Sequence, residues 1–142
     1  KFIGDAVLGV FGAPVEQPGA DNALAAVQAA LAMQQHLEQR NERWAAQGQP
    51  RWNQVIALSD GWVISGNIGS ESRMEYTVIG DAVNTASRLE AIAKQCDQAI
   101  VLSEGMASQL PDSWPLKDLG LFEIRGQGRQ RVFALETAPS ST

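Results

Sequence analysis

Residues 75–90 join a strand pattern to a helix pattern, and this junction constrains the fold more than any other part of the chain. The four residues before Gly80 are Tyr76, Thr77, Val78 and Ile79, which are aromatic or β-branched as is typical of a strand. Gly80 allows a sharp turn, and Asp81 is a suitable N-cap for a helix. We therefore expect this strand to end where a helix begins.

The predicted helix after Gly80 has an apolar face and a polar face. Asn84 and Arg88 are four residues apart and so lie one turn from each other, away from the apolar positions. An amide can orient a hydroxyl group, and a guanidinium can neutralise phosphate oxygens with a planar fork of donors. The pair suggests a nucleotide site, although its spacing alone is also typical of a solvated helix face. The apolar positions are Ala82, Ala86, Leu89 and Ala93.

Composition and charge narrow the classes of function. A chain of 142 residues with 44% hydrophobic and 19% charged residues is typical of one globular domain with its own core. A net charge of -5 argues against a surface that binds duplex nucleic acid. The single Cys96 excludes an internal disulfide and agrees with a reducing compartment. No apolar run is long enough to span a bilayer, so we expect a cytoplasmic domain, or one tethered to the inner face of the membrane by segments outside this chain.

The first eleven residues predict two strands joined by Gly4 and Asp5, since glycine suits the first position of a two-residue hairpin turn. A carboxylate held in such a turn is a good ligand for Mg²⁺. Gly-Asp is also a common turn dipeptide, so this pair alone is a weak signal.

The rest of the chain alternates strands and helices. Asp21 and Asn22 predict the start of a helix that runs to about Gly48, with His36 on its exposed side. Strands are predicted at residues 52–58, 62–65 and 99–102, and Ser103 is expected to cap a short helix. A hairpin with its turn at residues 125–129 follows. This order predicts an α+β domain with a mainly antiparallel sheet and helices covering one face.

Several of these motifs resemble one family. Residues 76–90 closely resemble the signature of class III nucleotidyl cyclases, which make cyclic AMP or cyclic GMP from the nucleoside triphosphate. The resemblance extends to residues 1–6, 66–70 and 124–128, so it spans nearly the whole chain. It implies a ferredoxin-like palm over residues 1–136, with residues 137–142 as a tail or linker.

The resemblance also implies catalytic and metal-binding roles. Asn84 and Arg88 match the two transition-state residues of the family, and Asp5 matches the second of its two metal-binding aspartates. The implied cofactors are two Mg²⁺ or Mn²⁺ ions per site. The first aspartate of the family normally lies on an earlier strand, so we expect that strand to precede Lys1.

Further matching positions imply contacts with the substrate. Lys1 and Thr77 match the positions that recognise the purine, and a lysine at the first of them favours adenine because it can donate to the acceptor N1. In the final turn a cation is implied to contact the triphosphate, with Arg125 as the first candidate and Arg129 as the second.

The resemblance implies an adenylate cyclase that acts as a homodimer with its active sites at the interface, where one protomer supplies the metal ligands and the other the remaining site residues. The segment from Gly66 to the strand at Tyr76 matches an arm that commonly makes dimer contacts in the family, although Glu71, Arg73 and Glu75 are equally typical of a solvated hairpin. An N-terminal sensor or membrane domain is implied in the full-length protein. The alternatives are a guanylate cyclase and a noncatalytic nucleotide-binding regulator. A diguanylate cyclase is disfavoured because its Gly-Gly-Asp/Glu-Glu-Phe string does not occur.

Overall fold

The computed structural model describes residues 2–3, 6–12, 19–68 and 75–136, and for residues 2–3, 19–20, 65–68 and 75–78 the description covers the backbone. Strands and helices alternate along the described chain, which confirms the predicted α+β class. In chain order the elements are β1 (Phe2–Ile3), β2 (Ala6–Val7), α1 (Gly19–Ala46), β3 (Ile56–Leu58), β4 (Ile64–Ile68), β5 (Glu75–Ile79), α2 (Asp81–Gln95), β6 (Ile100–Ser103), α3 (Glu104–Ser108), β7 (Leu116–Ile124) and β8 (Gly128–Leu135).

The strands pair in three groups. The largest is a four-stranded sheet in the order β3-β6-β8-β7, where β3 is parallel to β6 and the other neighbours are antiparallel. β1 pairs with β2, and β4 pairs with β5, both antiparallel. The pairing of β1 with β2 confirms the two strands predicted at the start of the chain, while Gly4 and Asp5 lie outside the described residues. The prediction of mainly antiparallel pairing is confirmed.

The four-stranded sheet has a hydrophobic cluster on each face. Successive side chains of a strand point to opposite faces, and on β6 the side chains of Ile100 and Leu102 pack in the cluster of α1, whereas Val101 packs in the cluster of α2. The two long helices therefore lie on opposite faces of this sheet, which corrects the expectation that the helices cover one face. The physical reason is that β6 is apolar at consecutive positions and is buried on both sides.

Helix α1 begins at Gly19, two residues before the predicted cap at Asp21 and Asn22, and Asp21 lies in its first turn. Ala23 is already buried, so the helix packs from its first complete turn. The helix ends at Ala46, and Gly48 follows with a positive φ of 76°. His36 is exposed as predicted. In the described part of the chain no helix is long and apolar enough to cross a bilayer.

The strand predicted over residues 52–58 is shorter in the structure, because β3 comprises only Ile56–Leu58. The amide of Asn41 satisfies both backbone groups of Trp52: its Nδ2 donates to the carbonyl at 2.8 Å, and its Oδ1 accepts from the N–H at 2.8 Å. Since a side chain takes these bonds, Trp52 does not need a neighbouring strand. The alternation of polar and apolar residues there was misleading.

Helix α2 begins one residue earlier than predicted. Gly80 occupies the N-cap position and Asp81 is the first helical residue, where its negative charge still suits the helix dipole. Gly80 lies close to the chain before β4, and a Cβ at this position would be 2.8 Å from the carbonyl oxygen of Trp62. The close packing therefore requires glycine at the point where β5 ends and α2 begins.

Asp60 connects the end of β3 to α3. Its Oδ1 accepts from the hydroxyl of Ser103 at 3.0 Å, and its Oδ2 accepts from Nε2 of Gln109 at 3.2 Å. The Ser103 hydroxyl also accepts from the backbone N–H of Met106 at 3.2 Å, which confirms that Ser103 is the N-cap of α3. The carboxylate lies against Gly105, where a Cβ would be 2.6 Å from Oδ2 and in contact with Oδ1.

We expect Gly105→Ala to lower the free energy of unfolding by about 1 kcal/mol, because the new methyl group displaces the Asp60 carboxylate. In an Asp60→Ala background the same substitution is expected to raise that free energy by about 0.5–1 kcal/mol, the usual effect of replacing a helical glycine. Urea unfolding of the four proteins measures both effects. The same sign in the two backgrounds would show that the carboxylate does not limit this position.

Candidate active site

Helix α2 and the turn between β7 and β8 enclose a cleft of about 530 Å³. The cleft brings together Asn84, Arg88 and Arg125, which lie on two elements more than thirty residues apart in sequence. Three of the candidate residues predicted from sequence therefore line one cleft. The full lining is Asn84, Thr85, Arg88, Glu123, Ile124, Arg125, Gly126 and Gly128.

Helix α2 presents Asn84 and Arg88 to solvent while it buries the opposite side. Asn84 and Arg88 are exposed, whereas Leu89 and Ile92 are 1% and 0% exposed. The Nε of Arg88 donates to the backbone carbonyl of Glu123 at 3.4 Å. Among the described residues no carboxylate forms an ion pair with Arg88, so its terminal nitrogens are accessible to an anionic ligand in the cleft.

The buried face of α2 differs in part from the prediction. Leu89 and Ala93 are buried as expected, but Ala82 and Ala86 are only half-buried. Thr85 is 7% exposed and belongs to the buried side. The burial of Thr85 was not predicted, because a polar residue in the middle of a helix is usually expected on its exposed side.

The turn between β7 and β8 has a defined shape. The backbone N–H of Gln127 donates to the carbonyl of Ile124 at 2.9 Å, which closes a four-residue turn with Arg125 and Gly126 at its centre. Gly126 has a φ of +80°, and Gly128 after the turn has a φ of +72°. Glycine adopts this left-handed conformation without strain. The turn therefore places Arg125 at its tip, on the edge of the cleft.

A contact between the turn and α2 was missed from the sequence. The Nε2 of Gln127 donates to Oγ1 of Thr85 at 2.7 Å. The carbonyl of Gln127 accepts from Nε2 of Gln130 at 3.0 Å. Thr85 lines the 530 Å³ cleft and also a smaller cleft of about 190 Å³, which Gln127 lines as well.

The two candidate cations of the turn differ in their positions. Arg125 lines the cleft, whereas Arg129 lies on β8 opposite Glu123 of β7 in the strand register. Opposite charges at facing positions of an antiparallel pair attract each other. Arg129 therefore lies beside Glu123, which is itself a lining residue of the cleft.

For the remaining predicted site residues, the structure does not describe the side chains. Lys1 and Asp5 lie outside the described residues. Thr77 lies on β5 opposite Gly66 of β4, and its side chain is outside the description. Within the described ranges no group of three or more His, Cys, Asp or Glu residues could hold a metal ion.

An exposed apolar patch lies near the N-terminus of α2. Trp62 is 92% exposed, and Ile64 and Ile79 are 77% and 55% exposed. Ile64 of β4 and Ile79 of β5 are register partners, so their side chains lie beside each other. Contiguous exposed apolar surface of this kind is typical of a protein interface.

The fold agrees with comparisons to known proteins. The family model "Adenylate and Guanylate cyclase catalytic domain" matches residues 1–137. The chain therefore belongs to this family of nucleotidyl cyclase catalytic domains, as the resemblance of its motifs predicted.

Individual relatives support the same family. The chain is 32% identical over 127 residues to adenylate cyclase 1 of Rhizobium meliloti, an alignment that covers 89% of this chain and 19% of the relative. It is 37% identical over 123 residues to an adenylate cyclase of Anabaena cylindrica, covering 82% and 23%. The chain thus spans about a fifth of the length of these curated relatives.

A solved structure confirms the architecture. The adenylyl cyclase CyaB from P. aeruginosa matches with a TM-score of 0.76 and 30% identity, over 93% of this chain and 67% of that chain. The α+β fold expected from the sequence is therefore the fold of a known cyclase.

Proposed function

We propose that this domain is the catalytic domain of an adenylate cyclase, which converts ATP to 3′,5′-cyclic AMP and pyrophosphate. The observation that carries the proposal is the convergence of Asn84, Arg88 and Arg125 on one cleft of a chain that belongs to the cyclase family. The relatives described above are adenylate cyclases, which supports ATP over GTP. In the reaction the ribose 3′-oxygen forms a bond to the α-phosphorus, the bond to the β-phosphate oxygen breaks, and the hydroxyl proton passes to water.

The residues of the cleft would act by positioning and by charge. The Asn84 amide would hold the ribose so that its 3′-hydroxyl points at the α-phosphorus. The Arg88 guanidinium would offset the charge on the α-phosphoryl oxygens as the bonds change. Arg125, at the tip of its turn, would bind the β- and γ-phosphates. The separation of Arg129 from the cleft lining supports Arg125 for this role.

Two further positions would select the base. Lys1 would donate to N1 of adenine, and the Thr77 hydroxyl would accept from the exocyclic amine. Guanine carries a hydrogen on N1, so its N1–H and the lysine ammonium would both be donors and could not form a hydrogen bond with each other. This complementarity supports ATP as the substrate.

Class III cyclase domains generally use divalent metal ions. Asp5 would hold two Mg²⁺ or Mn²⁺ ions together with a second aspartate, since hard cations prefer carboxylate oxygens. When bound, these ions would shield the triphosphate and acidify the 3′-hydroxyl. The metal proposal rests on Asp5.

The family is generally dimeric, and we propose a homodimer in which Asp5 of one protomer faces Lys1, Thr77, Asn84 and Arg88 of its partner. The exposed patch of Trp62, Ile64 and Ile79 supports a protein partner for this side of the domain.

The proposal also includes a cytoplasmic location, where the triphosphate is present. It includes an N-terminal sensor or membrane domain in the full-length protein, for which the much longer relatives leave room.

The test is a turnover assay of the protein expressed from its complete gene, with ATP or GTP and either Mg²⁺ or Mn²⁺. Cyclic AMP from ATP, with GTP at least about tenfold slower, is the expected result. Preference for GTP would identify a guanylate cyclase. Nucleotide binding without turnover would identify a regulatory domain and would contradict the proposal.

A further inference from the structure

Gln127 lies in an exposed turn and takes part in three hydrogen bonds. Its backbone N–H donates to the Ile124 carbonyl, its carbonyl accepts from the Gln130 side chain, and its Nε2 donates to Oγ1 of Thr85. The first two bonds are local to the hairpin. The third joins the hairpin to α2, between residues that are 42 positions apart.

The hairpin does not need the third bond for its own shape. The turn is closed by the bond between Gln127 and Ile124, and the strand register continues to the pair of Ile124 and Gly128. The positive φ values of Gly126 and Gly128 complete the reversal of the chain. The bond from Gln127 to Thr85 therefore joins the turn to α2, next to the packing of Ile124 against Leu89 and Ile92.

The acceptor of this bond is held firmly. Thr85 is 7% exposed, and Leu89 one turn later is 1% exposed, so the hydroxyl is anchored by the packed side of α2. Thr85 is also the residue that follows Asn84. On the other side of the cleft, Arg125 lies two residues before Gln127. A second bond, from Arg88 to the Glu123 carbonyl, is 3.4 Å long and is therefore weak.

We propose that Gln127 is a positioning residue: its hydrogen bond to Thr85 sets the distance between Arg125 on the turn and the pair of Asn84 and Arg88 on α2. This inference rests on the proposed function, since it explains how the cation of the turn is brought to the triphosphate. It assigns no contact between Gln127 and the substrate. Gln127 acts through Arg125.

The test uses variants that remove the bond with little change in shape. Gln127→Met removes the donor and Thr85→Val removes the acceptor, while Thr85→Ser keeps the hydroxyl. Each of the first two is expected to lower kcat/KM for ATP by about three- to tenfold, the range of a neutral hydrogen bond. The change should lie mainly in KM, because Arg125 would bind the triphosphate before and during reaction. Thr85→Ser is expected to lose less kcat/KM than Thr85→Val, and Gln49→Leu, beyond the end of α1, is expected to match the parent protein.

A double-mutant cycle separates positioning from a structural role. In an Arg125→Ala background, Gln127→Met is expected to have no further effect on kcat/KM. If the two effects instead multiply, or if Gln127→Met leaves kcat/KM unchanged, the proposal is overturned.

A second readout does not depend on turnover. Hydrogen exchange of the amide of residue 127, which donates to the Ile124 carbonyl, should be faster in Gln127→Met and Thr85→Val than in the parent or Thr85→Ser. Equal exchange in all four would show that the bond does not hold the turn and would overturn the proposal. A parent protein without cyclase activity but with this exchange pattern would refute the proposed function and leave the positioning of the turn supported.

Discussion

Arg88→Ala is expected to lower kcat for cyclic AMP formation by about 10²–10³-fold, comparable to the loss of one donor to a developing oxyanion. Arg88 is exposed in the cleft, and within the described structure its one hydrogen bond is the 3.4 Å contact of Nε with the Glu123 carbonyl. The side chain thus contributes little to folding. Its loss should change the chemical step and leave the unfolding temperature nearly unchanged.

Two control variants test whether the lost rate is due to the guanidinium of Arg88. Arg88→Lys keeps the positive charge but loses the planar fork of donors, so it is expected to recover only part of the lost rate. Arg51→Ala removes an exposed arginine after α1 and should retain parental turnover. A folded Arg88→Ala protein with kcat within about twofold of the parent would exclude Arg88 from transition-state stabilisation.

The junction of β5 and α2 was predictable because local chemistry determines it. Aromatic and β-branched residues favour the strand, Gly80 allows the close approach to Trp62, and the apolar spacing defines the helix. The cap of α3 at Ser103 was predictable for the same reason. The position of Asn84 and Arg88 on one helix face followed from their spacing.

The contacts that depend on distant residues were not predictable. The sequence gives no sign that Thr85 meets Gln127, since a glutamine in a turn usually contacts water. Asp60 likewise accepts bonds from two residues more than forty positions away. In both cases the partner is brought near by the sheet, so periodicity and turn signals do not identify it.

The placement of the two long helices shows a related limit. Consecutive apolar residues in β6 indicate a buried strand but do not state which helix covers which face. The structure shows which helix covers which face, because Val101 packs in the α2 cluster and Ile100 packs in the α1 cluster. This arrangement places α2 on the face where the turn of β7 and β8 can meet it.

Restoration of activity by mixing two inactive variants is the second large effect that we expect. Asp5→Asn removes the carboxylate proposed to hold the metal ions, and Arg88→Ala removes the guanidinium, so each variant alone should be nearly inactive. In a mixed dimer of the proposed kind, the intact Asp5 of one protomer would face the intact Arg88 of its partner. One complete site is thereby formed, and the other site carries both substitutions.

Coexpression of the Asp5→Asn and Arg88→Ala chains from complete genes, followed by measurement of cyclic AMP formation, is therefore the most direct test of a site shared between protomers. With random assembly we predict about a quarter of the parental turnover, because half of the dimers are mixed and each has one intact site. Activity no higher than that of the two variants assayed separately, in a mixture shown to contain mixed dimers, would contradict the shared site.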